Sequence, residues 1–304
     1  MGTPITREQL GDLTTLETAL RAVFMEQVAV DVPTSLLNTL FNVQTSTRAV
    51  ERNLGISGIG DVPEYRGTLE YDSFEALFTT SYQHKEYAVA MSVERALLDD
   101  DEYNVIRRRA AMLGLSFDRT IEKHAASVFN HAFSAGYAGA DGKPLCADDH
   151  PLSPSSSGAQ GNMGTSALNH DAVIATKELM MQFTDSRGNP LPVMPDTLLV
   201  PVELEAEARV IVESALKSGA DSNDANINRG YRVLVSRFLS DSNNWFMLDS
   251  RMAKLYLNWY WRVKPEFVID ASSEYALKTN FRGYTRYSYG YDLPWWVYGH
   301  EVSA

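Results

Sequence analysis

The chain has 304 residues, 44% hydrophobic and 22% charged, the balance of a globular protein and not of a disordered or fibrous one. Its 39 acidic side chains outnumber 27 basic ones, for a net charge of −12, which argues against wrapping nucleic acid, because neutralising phosphates takes clustered Lys and Arg. The single cysteine, Cys146, allows no internal disulfide; the first residues lack a signal-peptide pattern, and no run reaches the ~20 apolar residues of a membrane-spanning helix.

In chain order, residues 7–30 predict a helix. Leu10, Leu13, Leu16, Leu20, Val23, Phe24 and Val28 recur at three- and four-residue steps, and Thr6 with Gln9 forms a capping box. Residues 31–62 show no steady period and hold Gly55, Gly58 and Gly60 ahead of Pro63, which reads as an extended arm. Those glycines have the composition of a phosphate loop without its context, since Pro63 forces an extended path where a helix would have to open. Phe74, Ala76 and Phe78 alternate, as do Tyr87, Val89, Met91 and Val93, with polar Ser81–Lys85 between them. This pattern predicts a long β-hairpin. Its first arm carries Glu64, Arg66, Glu70, Asp72 and Glu75, so it is expected to lie against something polar.

The strongest element is a helix over 102–133. Tyr103, Ile106, Ala110, Leu113, Phe117, Ile121, Val128 and Ala132 form one stripe, and the acidic run Asp99–Glu102 complements the dipole at its start. Arg107, Arg108 and Arg109 form a basic cluster on this helix. It is either a solvated face or a contact with an acidic neighbouring subunit or DNA; the subunit contact is favoured, because three charges hold phosphate weakly. A Gly/Ser/Pro/Asp-rich loop follows over 134–166, then a helix over 167–184, a strand at Thr197–Val200, an amphipathic helix over 202–216 and a polar loop over 217–229. Strands are expected at 231–235, 245–248, 255–261 and 267–270, with an aromatic strand region over 277–298. The order predicts an α+β fold.

Chemistry is sparse. The segment Cys146-Ala147-Asp148-Asp149-His150 offers a thiol, two carboxylates and an imidazole, and it supports the alternative of a hydrolase or metal-binding enzyme, but it lacks the second cluster of a structural zinc site. None of the six histidines forms a paired metal motif, and no Ser sits in a nucleophile elbow. Trp259-Tyr260-Trp261 and Trp295-Trp296 could stack on sugars, but neighbours in a strand point to opposite faces, so core or interface packing is the simpler reading. No catalytic, cofactor-binding or metal-binding residue is assigned.

Five segments in order resemble the major capsid (major head) proteins of tailed bacteriophages, the HK97-fold family, in particular its Mu-type head subunit branch. They are Asn53-Leu54-Gly55 with Val62–Gly67; Tyr87–Arg95 running into Asp99–Tyr103; Asp141–Leu145 with His150-Pro151 and Gly161-Asn162; Leu198-Leu199-Val200-Pro201; and Arg282-Gly283-Tyr284 through Trp295-Trp296. The resemblance implies an HK97-like capsid fold with an N-terminal arm (1–62), an extended loop or E-loop hairpin (63–95), a peripheral domain with the spine helix 102–133 (96–190), an axial domain (191–280) and a C-terminal return to the peripheral domain (281–304). It implies self-assembly as pentamers and hexamers into an icosahedral virion shell enclosing double-stranded DNA held without sequence specificity. Assembly is expected in the host cytoplasm, with a separate scaffolding protein, a portal, possible decoration proteins and no maturation cleavage of this chain. Glu64, Arg66, Glu70, Asp72, Lys85, Arg107, Arg108 and Arg109 are the expected subunit contacts. Deleting residues 1–60 is expected to leave a folded body that assembles poorly.

Overall fold

A computed structural model describes residues 18–28, 35–62, 64–67, 71–73, 75–94, 104–155, 158–217, 225–270 and 278–303. The first half holds helix α1 (18–27), α2 (Leu36–Leu40), β1 (Asn42–Thr45), β2 (Val50–Ile56), β3 (Ala76–Gln83), β4 (Lys85–Glu94) and the 27-residue α3 (Asn104–Asn130). The second half holds β5 (His150–Pro151), β6 (Ala159–Gln160), β7 (Met163–Gly164), α4 (His170–Met181), β8 (Thr197–Val200), α5 (Glu205–Glu213) and β9 (Arg232–Val235). It ends with β10 (Trp245–Leu248), α6 (Ser250–Tyr256), β11 (Leu257–Asp270), β12 (Lys278–Tyr291) and β13 (Val297–His300).

Local chemistry sets these boundaries. Asn169 caps α4 by accepting from the amides of Asp171 and Ala172, and Asp249 does the same for α6 through Arg251 and Met252. Of the apolar stripe read from the sequence of α3, Ala110, Leu113, Phe117, Ile121 and, just past the helix, Ala132 are buried and Val128 is half-buried; Ala125 and Phe129 are buried beside them. A Cβ at Gly283 would stand 2.4 Å from the Phe117 ring, so glycine there lets the helix come down onto β12. The remainder of the helix expected over 7–30, and the acidic start expected for α3, lie outside the described residues.

Two larger sheets hold nine strands, and β2-β3 and β5-β6 form separate two-stranded pairs. One has the order β1-β11-β12-β4; the other, of five strands, has the order β7-β13-β10-β8-β9. Sheet membership therefore groups the chain differently from a division at 190/191 and 280/281: β11 joins β12, and β13 returns to pair with β10 and β7. In the second sheet β8 and β10 are buried at every position. In the first, β1 runs parallel to β11, pairing Asn42 with Asn258, and β4 pairs with β12.

Three readings need correction. The two alternating runs do not form one hairpin. β3 pairs with β2 in a separate two-stranded ribbon, whereas β4 pairs with β12. Only His84 separates β3 from β4, too short a link for a two-residue hairpin turn. It is buried at the crossing, its ring bonded to Ser46 Oγ (3.1 Å) and Ser288 Oγ (2.9 Å). The supposed arm contains α2, β1 and β2, and Leu36, Leu37, Leu40 and Phe41 join the main core together with Leu20 and Phe24 of α1. Removing residues 1–60 would take those side chains out of the core, so it is expected to weaken the folded body as well as assembly. Finally, Leu255 and Tyr256 close helix α6 where a strand was expected. The tryptophans pack in the core, as the sequence suggests. Trp259 and Trp261 are buried on one face, Tyr260 is buried on the other, and Trp295 and Trp296 lie buried in a turn before β13.

Candidate functional site

The segment 146–150 spreads its polar groups instead of converging them. Cys146 is fully buried beside Gly299, and burial pushes its thiol pKa far up, which leaves it a poor nucleophile. Asp148 and Asp149 face solvent, with Asp149 paired to Lys143. His150 is buried and shares a 2.6 Å bond through Nδ1 with Asp141 Oδ2. Among the described residues no three His, Cys, Asp or Glu side chains group as ligands would. The segment is a structural corner, and the enzyme alternative has no support in its geometry.

The exposed charged surfaces offer more. Between β2 and β3 the chain makes a long loop whose sequence from 61 to 75 holds five carboxylates and one guanidinium. Four of its large apolar side chains are uncovered: Ile59 is 75% exposed, Val62 93%, Tyr65 69% and Tyr71 92%. Glu64 and Arg66 pair with each other at 3.0 Å on the open surface, a bond worth little by itself. Glu70 lies outside the described residues. Lys85 is exposed at the start of β4 and has no carboxylate partner among the described residues.

Arg107, Arg108 and Arg109 are all exposed on α3 and pair with no carboxylate among the described residues. They share that surface with a feature the sequence reading missed. Arg108, Met112, Leu115 and Arg119 follow at steps of four, three and four, and all four are exposed, Met112 at 67% and Leu115 at 51%. This is the face opposite the buried stripe. The signal was present in the sequence as two large apolar residues off the core period, flanked by arginines.

Two further groups tie the β2–β3 ribbon to the body. Asp292, just past β12, accepts from Tyr82 OH at 2.6 Å, from Asn53 Nδ2 at 2.9 Å and from Asn258 Nδ2 at 2.8 Å. One carboxylate thus joins both strands of the ribbon to β11. Burial first, then the nearby Asp292 charge, raises the Tyr82 pKa, so the phenol stays a donor. At the far end, Asp72 binds Arg187 Nη1 at 2.5 Å and accepts from the Gly60 amide at 3.1 Å; Arg187 also donates to the Ser73 carbonyl. The Arg187 bond, then that of Gly60, holds the exposed Asp72 carboxyl down at about 2. Neither Asp292 nor Arg187 stood out in the sequence, because their partners lie far away along the chain.

Comparison with known proteins agrees with this picture. A family described as phage capsid protein matches residues 76–298. No curated protein matches the chain in sequence. The fold is similar to the capsid structure of the cyanophage P-SCSP1u, with TM-score 0.61 and 11% identity over 88% of each chain. It is also similar to the bacteriophage JBD30 capsid, with TM-score 0.57 and 15% identity over 69% of this chain and 94% of that one. The JBD30 procapsid subunit gives TM-score 0.56 and 14% identity over 99% of this chain and 77% of that one.

Proposed function

The chain belongs to the phage capsid protein family, and from that premise we propose that it closes with copies of itself, as hexamers and pentamers, into an icosahedral head around double-stranded DNA. Its role is structural, in the virion shell, with an HK97-like α+β fold. The observation that supports the finer reading is a mismatch within one subunit. An acidic loop leaves Val62 and Tyr71 almost wholly exposed, while an arginine-flanked apolar stripe on α3 stands more than half uncovered. Surfaces of opposite charge, each carrying unburied apolar groups, are complementary between copies.

In this reading Glu64, Arg66, Glu70 and Asp72 of one copy and Arg107–Arg109 of another are contact residues, and Lys85, at the start of β4 beside the C-terminal part of α3, is a further one. The unit around α3 and the four-stranded sheet serves as the peripheral domain, and the five-stranded sheet serves as the axial one. A chain of net charge −12 packs DNA without adhering to it. Assembly takes place in the host cytoplasm on a separate scaffolding protein and a portal.

Electron microscopy with sedimentation velocity tests this on the recombinant protein, alone and with its scaffold co-expressed. Shells, tubes, or rings of five or six copies are expected. A monodisperse monomer or dimer in both preparations would overturn it.

A further inference from the structure

Beside the base of the β2–β3 ribbon lies a half-open cavity of about 290 Å³, walled by β3, β4, β12 and the end of α3 with the turn after it. Strand alternation builds its floor. Tyr287, Tyr289 and Tyr291 follow at steps of two in β12, Lys85 of β4 is paired across to Tyr287, and Tyr87 follows Lys85 by two, so all five side chains rise on one face of the sheet. Tyr87 stacks on Tyr287 at 4.7 Å between ring centroids, and on the helix side Tyr137 stacks on His131 at 3.7 Å. Six of the chain's 15 tyrosines line the cavity, which gives it flat ring faces on more than one side. Its charge runs against that of the chain. Acidic residues outnumber basic ones 39 to 27, yet no Asp or Glu lines the cavity, whereas Lys85 and His131 do. Glu86, next to Lys85, pairs instead with Arg286. Burial raises the Tyr289 pKa, so its phenol remains a second donor.

We propose that this cavity binds a small planar aromatic anion, with its rings among the tyrosines and its charge on Lys85. The volume suits a body of about two fused rings, stacking on the phenol rings attracts a flat guest, and a lysine with no carboxylate beside it in the lining selects the negative sign. A cationic guest would meet the same ring faces but also Lys85. The occupant touches β3, α3 and β12 at once, so it ties the ribbon's base to the body and stabilises the subunit in proportion to its occupancy. This binding is a property of the single subunit and does not rest on its role in a shell.

The probe is β-naphthoate, titrated by calorimetry into the free full-length subunit at neutral pH. One saturable site with a Kd of roughly 0.1 mM is expected, with a rise in unfolding temperature that follows occupancy. Lys85→Met should weaken binding about tenfold, and Lys85→Arg should retain it. The uncharged β-naphthamide and the cation β-naphthylmethylammonium should each bind about tenfold more weakly than the carboxylate, or worse. Ala138→Trp, which fills the cavity from an exposed position, should abolish binding. Lys85 and Ala138 are both exposed, so the unliganded variants should unfold at the temperature of the parent chain. Failure of β-naphthoate to saturate at millimolar concentration, equal affinity for the amide or the cation, or an unchanged Kd in Lys85→Met or Ala138→Trp would overturn the site.

Discussion

The sheet interior and the β2–β3 ribbon are held by opposite means. In the interior, Trp259, Trp261, Trp296, Phe267, Phe281 and Tyr287 are almost fully excluded from water, and Trp259 stacks on Tyr287 at 4.5 Å between ring centroids. The ribbon has a two-stranded ladder, one buried tyrosine, and polar bonds at its two ends. A two-stranded ribbon is at best marginally stable alone, so its position is set by a few replaceable contacts. The body of the molecule is held by burial; the ribbon is held by a few polar bonds at its two ends.

The sharpest way to break that contrast is to weaken the interior. Trp296→Ala should cost about 3–5 kcal/mol, read as a lower urea midpoint of the free subunit. Next comes acid. His300 stacks on Trp245 at 4.2 Å, accepts from the Ser166 amide through Nδ1 and bonds Thr176 Oγ1 through Nε2. Burial lowers its pKa to about 4. The unfolded state then binds the proton more readily, so the stability His300 confers is complete above about pH 6.5 and disappears as pH falls through about 4, an effect of about 3 kcal/mol. His300→Gln should flatten that part of the stability profile measured against pH; an unchanged slope would place the acid sensitivity elsewhere.

Asp292→Ala probes the ribbon's anchor. It leaves the Tyr82 hydroxyl without its acceptor, removes the shortest of three acceptors from the Asn258 amide and should cost about 2 kcal/mol, while particle yield falls more than that loss of folded subunit explains. Smallest in stability is the triple change of Arg107, Arg108 and Arg109 to Glu. On an exposed helix face it should shift unfolding by no more than about 0.5 kcal/mol yet impair assembly. A variant that unfolds instead would show these arginines to be part of the fold.

The interior was the legible part of the sequence. The period of α3, the run Leu198-Leu199-Val200 and the aromatic strands announce buried faces locally, and burial follows from them. Pairing was not legible. Two alternating runs separated by a few polar residues read as a hairpin, and nothing local reveals that one belongs with residues 50–56 and the other with residues 278–287. The arm was misread for a related reason: α2 has only five residues, too few to display a period, although it supplies three core side chains and Phe41 just past it a fourth. The charged contact residues were visible as charges, but Arg187 and Asp292 gain meaning only through partners 115 and 210 residues away.

The parallel pairing of β1 with β11 governs the order of events during synthesis. Asn42 and Asn258 are 216 residues apart, and translation at ~5–20 residues per second separates their emergence by roughly 10–40 s. Throughout that interval Leu36, Leu37, Leu40 and Phe41 have been made but lack the strand they pack beside. Parallel ladders between distant segments close slowly and leave sticky chain exposed meanwhile. A protein produced in many copies at once with this topology places its greatest demand on chaperones before any subunit is complete.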